Sequence, residues 1–181
     1  MQPSAPLRKP LAIVFCDIAG SSRLMAQEGD LVVSAVFREF FEQSGRLSKE
    51  HHCLMLKFIG DGFLAVFENI TDVMPFVISL ERLLSQNFIF VGRLAGFKFS
   101  LHYGNCLCIE TSYGGDVLGD DVNVAAHLNE LAQPHEVVVS QAALDRMPSD
   151  CDCRVRAGAS EVHRFKRGGD VEFHRVNLLG S

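Results

Sequence analysis

At 181 residues, with 48% apolar and 22% charged side chains, the chain is long enough for one domain with a full core and too well balanced to be largely disordered. Its formal net charge of −5 offers no basic field to nucleic acid or to an anionic membrane, so neither is expected as a partner. The opening MQPSAPLRKP has no apolar segment behind its basic pair, and no window approaches the ~18 uninterrupted apolar residues of a membrane span, which points to a cytoplasmic protein.

Residues 1–10 hold three prolines and read as a flexible leader to a single domain over residues 11–178. LAIVFCD, residues 11–17, is a buried strand closed by an acid and followed by the glycine-containing turn IAGSS. Asp30 caps a helix over residues 31–49, where Val33, Val36, Phe37, Phe40 and Leu47 recur at three-to-four spacing. LMLKFI and FLAVF are strands joined by Gly60-Asp61-Gly62, a hairpin signal because glycine supplies the positive φ a tight turn needs. Thr71 caps the next helix, with Pro75 tolerated in its first turn, and that helix runs to about residue 86. FKFSLHY and NCLCI, separated by Gly104, read as a second hairpin, and GGDVLGD as a connection into a helix over residues 120–132. EVVVS is a strand, QAALDRM a short helix, and the tail beyond Arg154 holds more strand. Strand, helix, strand, strand, helix, strand is the α+β, ferredoxin-like βαββαβ order: an antiparallel sheet with helices on one face, here with C-terminal strand additions.

The six cysteines, in a chain without a signal peptide, are better read as thiols than as a disulfide framework. Cys106/Cys108 and Cys151/Cys153 are C-x-C pairs, but that spacing is not the spacing of a zinc ribbon or finger.

In a ferredoxin-like sheet the first and third strands are neighbours, so Asp17 at a strand end and Asp61 in the hairpin turn can converge. Two carboxylates beside glycine backbone suit Mg²⁺ with a polyphosphate: hard oxygen ligands, and amides of the loop at residues 18–22 free to approach phosphate oxygens. Taken singly, each acid also fits a plain turn or cap.

FCDIAGSS, KFIGDG and GGDVLGDDVNVAAHL, in that order, resemble the three catalytic segments of the class III nucleotidyl cyclases, the cyclase homology domain, over most of residues 11–178. The gaps fit as well: 44 residues from Asp17 to Asp61, four from Lys57 to Asp61, seven from Asp116 to Asn123. The resemblance implies that Asp17, Ile18 and Asp61 hold two divalent cations, Mg²⁺ or Mn²⁺, one activating a ribose 3′-hydroxyl and one gripping a triphosphate, with Gly20 and Ser21 beside the substrate. In-line attack of that hydroxyl on the α-phosphorus then closes a 3′,5′-cyclic monophosphate and releases pyrophosphate. Lys57 and Asp116 fall at base-reading positions, where a lysine donor suits adenine N1 and an aspartate acceptor suits the N6 amine; guanine presents the opposite polarity. ATP is therefore the expected substrate.

Asn123 and His127, four apart on one face of a helix whose buried stripe is Val124, Leu128 and Leu131, match the family's ribose-orienting asparagine and its transition-state arginine. The histidine departs from the family: it is shorter, lacks the bidentate fork, and carries charge only when protonated. Such a site is slow, pH-sensitive or rescued by another cation. VHRFKRGGD resembles the C-terminal hairpin that contributes a triphosphate-binding lysine, a role that Lys166 or Arg167 would fill here. His102 reads as a packing or dimer-contact residue. The resemblance implies a head-to-tail homodimer, or a heterodimer with another cyclase domain that lends an arginine. Two alternatives stay open: a degenerate cyclase homology domain that binds nucleotide or regulates a partner, and a cyclase acting on another nucleoside triphosphate.

Overall fold

A computed structural model describes residues 7–112, 114–151, 156–165 and 169–178. In chain order the elements are β1 (Leu7–Ala19), α1 (Ser21–Gln27), α2 (Asp30–Glu50), β2 (Met55–Ile59), β3 (Gly62–Phe67), α3 (Val73–Gln86), β4 (Gly96–Thr111), β5 (Gly114–Leu118), α4 (Asp120–Leu131), β6 (Glu136–Ser140), α5 (Gln141–Leu144), β7 (Glu161–Phe165) and β8 (Gly169–Asn177). The strands form one sheet in the order β2-β3-β1-β4-β6-β8-β7, with β5 paired to the far end of β4. The first four of these reproduce the expected ferredoxin-like arrangement, antiparallel throughout. The additions begin with β6, which joins β4 in parallel, and continue into the β7–β8 hairpin.

Alternation along β1 explains the layers. Ala12, Val14, Cys16 and Ile18 point into the larger core with Phe40 of α2 and Phe76 of α3, where Phe63, Phe67, Phe97 and Phe99 also pack. Each fully buried phenylalanine contributes on the order of 2 kcal/mol of transfer free energy. Leu11 and Ile13 point the other way and pack with Leu64, Val66, Val117 and Ala125. Thus α2 and α3 share one face, as expected, while α4 covers the other. Among the described residues, no helix is long and apolar enough to cross a membrane.

Five expectations need correction. Asp30 does not cap α2: it is the first helical residue, and Gly29 stands at the cap with no side-chain hydrogen bond. Residues 7–10, read as leader, are strand: Leu7 to Pro10 pair with Cys108 to Asn105. Because β3 reaches only to Ala12, β1 has a neighbour on one side there, the setting that tolerates a proline. Gly104 is not a turn; β4 runs straight through it, and GGDVL forms β5 instead of a connection. The glycine answers a close approach, since a Cβ at that position would lie 2.2 Å from Asp121 Cγ. IAGSS contains a one-residue turn, Gly20 at φ 86°, after which α1 begins at once. Finally, Thr71 is no cap: Asn69 Oδ1 accepts from the Thr71 amide at 3.2 Å, and a single 3₁₀ turn precedes α3. Pro75 does fall in the first turn of α3.

Alternation also puts Cys106 and Cys108 on one side of β4, and burial pushes the Cys106 thiol up to about 11. Cys153 lies outside the described residues.

Candidate active site

Asp17 sits near the end of β1 directly opposite Gly62, the first residue of β3. A Cβ at Gly62 would lie 2.0 Å from the Cys16 carbonyl oxygen and 2.7 Å from Asp17 Oδ1, so only glycine lets the two strands and the Asp17 side chain meet there. The residue before it is Asp61, in the tight turn whose other member, Gly60, has φ 59°. The two acids are therefore held at the same end of adjacent strands, one register position apart. Their fields converge on the Cys16 thiol beneath them, which is pushed well above the ordinary thiol range by burial first, then by Asp17, Glu81 and Asp61.

Ser21, at the start of α1, donates its hydroxyl hydrogen to Asp61 Oδ2 and so ties the Gly20 turn to the β2–β3 turn. Ile18 remains in the β1–β4 ladder opposite Phe97, its side chain in the core, and Ala19 accepts from the Ala95 amide at 3.1 Å. The expected loop at residues 18–22 thus narrows to Gly20. Sequence reasoning missed Lys98: it faces Asp17 across the β1–β4 ladder, with Nζ 3.6 Å from Asp17 Oδ2. Its signal, a cation at the register position of a candidate metal carboxylate, becomes legible only once that register is known.

Lys57, opposite Leu64 in the hairpin, points to the same sheet face as α4. Its Nζ meets Asp116 Oδ2 at 2.5 Å, while Asp116 Oδ1 accepts from the Val117 amide at 2.9 Å. In a flat sheet β2 and β5 would be roughly 19 Å apart, four strand spacings of ~4.8 Å. The ion pair therefore requires the β4–β5 arm to curl back over the sheet, and Met55 of β2 packing in the cluster that holds Val117 of β5 reports the same curl.

Asn123 and His127 stand together on the exposed face of α4, away from buried Val124, Ala125 and Leu128. The His127 ring stacks on Phe165 of β7, centroids 5.3 Å apart and planes at 24°, with Nδ1 3.3 Å from Glu130 Oε1. His102 is buried and hydrogen-bonded within its own chain, to Ser140 and Asp121. Lys166 and Arg167 lie outside the described residues. The candidates fall in three groups: Asp17 and Asp61 at the same end of adjacent strands, Lys57 in contact with Asp116, and Asn123 with His127 on one face of α4.

The sequence profile of the adenylate and guanylate cyclase catalytic domain matches residues 5–175. The chain belongs to the class III nucleotidyl cyclase family. An adenylate cyclase of Glutamicibacter nicotianae is 24% identical over 172 residues, which make up 95% of this chain and 40% of that protein. A putative adenylate cyclase 3 of Rhizobium meliloti (strain 1021) is 26% identical over 163 residues, 88% of this chain and 27% of the relative. The cyclase domain thus spans well under half the length of either relative. Its fold is that of the adenylyl cyclase CyaB from P. aeruginosa, with a TM-score of 0.81 at 14% identity over 96% of both chains. The guanylyl cyclase Cya2 superposes with a TM-score of 0.78 at 16% identity, covering 94% of this cyclase domain and 93% of the other.

Proposed function

We propose that this cyclase domain converts ATP to 3′,5′-cyclic AMP and pyrophosphate at an interface between two copies of the chain. The observation that carries the choice of base is the ion pair of Lys57 with Asp116 at 2.5 Å. It sets a donor and an acceptor side by side, the complement of adenine N1 and the N6 amine, and it opposes both edges of guanine. The two relatives carry the names adenylate cyclase and putative adenylate cyclase 3, which supports the same reading.

The donor set fits divalent cations of the Mg²⁺ or Mn²⁺ type. Asp17 and Asp61 offer hard carboxylate oxygens at the same end of adjacent strands, Ile18 follows Asp17 in the backbone, and among the described residues no group of three or more acids, histidines or cysteines gathers to hold a metal. Two carboxylates with room for water and phosphate oxygens is the way Mg²⁺ is commonly held. When bound, such cations supply positive charge against the triphosphate and lower the pKa of the ribose 3′-hydroxyl. Lys98, the cation beside Asp17, and the backbone at Gly20 and Ser21 face the triphosphate tail, with Lys166 as a further cation for it. Asn123 orients the ribose. The 3′-oxygen bonds to the α-phosphorus as the bond to pyrophosphate breaks, its proton passing to water, and His127 meets the charge gathering on the α-phosphate. The carboxylates of one chain serve with the base-reading and α4 residues of its head-to-tail partner, so a homodimer holds two equivalent sites.

The test is to incubate the purified protein with Mn²⁺ or Mg²⁺ and each of the four nucleoside triphosphates across roughly pH 5.5 to 9, resolving products chromatographically. Cyclic AMP as the main product is the expected result; cyclic GMP in excess would overturn the base assignment. His127 favours a second reading, a regulatory domain that binds nucleotide without turning it over. That reading predicts no cyclic product from any nucleotide, together with a metal-dependent rise in melting temperature on adding ATP.

Lys57→Ala should lower kcat/KM for ATP by roughly tenfold to a hundredfold, the scale of one charge-assisted hydrogen bond. The Mn²⁺ concentration for half-maximal activity should hardly move. Equal losses in both would place Lys57 on phosphate instead of base.

A further inference from the structure

The underside of α4 carries a polar seam. On β4, Ser100, His102 and Gly104 alternate onto the face that α4 covers, and each meets the helix. Ser100 Oγ donates to the Ala125 carbonyl at 2.6 Å. His102 Nε2 lies 3.1 Å from Asp121 Oδ1, and Asp121 Oδ2 accepts from the Asn105 amide at 2.6 Å. At Gly104 the missing side chain makes room for that carboxylate. Behind the histidine, Nδ1 lies 2.8 Å from Ser140 Oγ, which already accepts from the Ala143 amide at 3.2 Å.

The network fixes its own proton order. A carboxylate can only accept, so Nε2 of a neutral His102 carries the hydrogen and donates to Asp121; Nδ1 must then accept, and Ser140 donates to it. The helix gives something up for this. Asp121 stands in the first turn of α4, whose N-terminus has no side-chain cap, yet its carboxylate is spent on the strand. Apolar contacts such as Val124 and Leu128 hold a helix down without fixing where it stops along the sheet, because burial is not directional. Hydrogen bonds at two positions four residues apart, Asp121 and Ala125, fix both the slide and the rotation of the helix.

We infer that His102, acting through Asp121 and seconded by Ser100, is a positioning residue that sets the register of α4 on β4 and thereby the placement of Asn123 and His127. The inference deepens the proposed function, since its catalytic consequence rests on those two side chains facing substrate. Asn123 and His127 follow Asp121 by two and six residues, about 3 Å and 9 Å of helix rise, so an unpinned α4 carries both off target together. A misplacement of about 1 Å is enough to cost ~10²-fold in rate.

The test compares His102→Phe, His102→Gln, Asp121→Asn and the Phe/Asn double variant with the parent. His102→Phe is expected to lower kcat by about 10²-fold while KM for ATP and the affinity for 3′-deoxy-ATP, which binds but cannot cyclise, change by less than about threefold. The Gln variant, whose amide still donates to Asp121, should recover most of the rate, and Asp121→Asn should add little once His102 is gone, because their shared contact is already lost and the asparagine oxygen can still accept from the Asn105 amide. Hydrogen exchange read on α4 should accelerate in the Phe variant. Unchanged kcat would overturn the inference, and so would parallel loss of kcat, nucleotide affinity and melting temperature without recovery in the Gln variant. If the parent itself forms no cyclic product, the cyclase reading fails by that result, and α4 exchange alone decides the pin: rates equal to the parent's in the Phe variant would refute it.

Discussion

Asp17→Asn and Asp61→Asn are each expected to lower cyclic-nucleotide formation by ~10³-fold or more, with no loss of fold. The activity loss follows from charge. Two carboxylates at one end of neighbouring strands offer divalent cations a site that an amide, neutral and half donor, does not. The fold is retained because asparagine matches aspartate in size, so neither substitution opens a cavity or overpacks its neighbours. In the Asp61→Asn variant Ser21 can still donate to the amide oxygen, and in the Asp17→Asn variant the amide oxygen can still face the half-buried Lys98, now 3.6 Å from Asp17 Oδ2. Melting temperature without metal should therefore change little in both variants, while the shift on adding Mn²⁺ and ATP should shrink. EDTA should abolish the parent's activity to the same degree. A variant that cyclises ATP within tenfold of the parent would remove that carboxylate from the chemistry.

These acids are the most legible part of the site, because Gly60-Asp61-Gly62 announces a tight turn and LAIVFCD a buried strand, and strand order then brings the two together. Other parts of the molecule are hidden by signals with two causes. Gly104 looks like a turn because glycine usually marks one, whereas here it clears space for a carboxylate 17 residues further along the chain. Nothing local to residues 97–109 distinguishes those two. The short helix α1 is hidden because its sequence, SSRLMAQ, is too brief to show a period, and its start depends on the left-handed Gly20 and on Ser21 binding Asp61. Lys98 and the pairing of residues 7–10 are unreadable for a common reason: both depend on the register of the 16-residue strand β4, a long-range quantity. The exposed face and the buried stripe of α4 are legible from spacing, but the polar contacts beneath the helix are not. In sequence His102 suggests packing or dimer contact, and its partners, 19 and 38 residues away, become visible only in three dimensions.

His127→Arg is expected to raise kcat by ~10²-fold, the scale on which one well-placed charge stabiliser acts in a transition state. The setting already favours the longer side chain. The imidazole lies nearly parallel to the Phe165 ring, and a guanidinium stacks on an aromatic face in the same way, so Phe165 would hold the arginine stem and leave its fork free to reach the α-phosphate. Glu130, one turn on at 3.3 Å from Nδ1, can steady the new cation without neutralising it in solvent. The gain should appear at both ends of the range, since a guanidinium stays charged throughout; kcat compared at about pH 6 and about pH 8.5 checks this. KM for ATP should change little if the charge acts only as the α-phosphate becomes more negative. Should the substitution instead cost a large factor at both pH values, the histidine has a role of its own, with proton transfer as the first candidate. If neither protein turns over any nucleotide although ATP and Mn²⁺ raise the melting temperature of both, the lost arginine marks a regulatory domain and the catalytic reading falls with it.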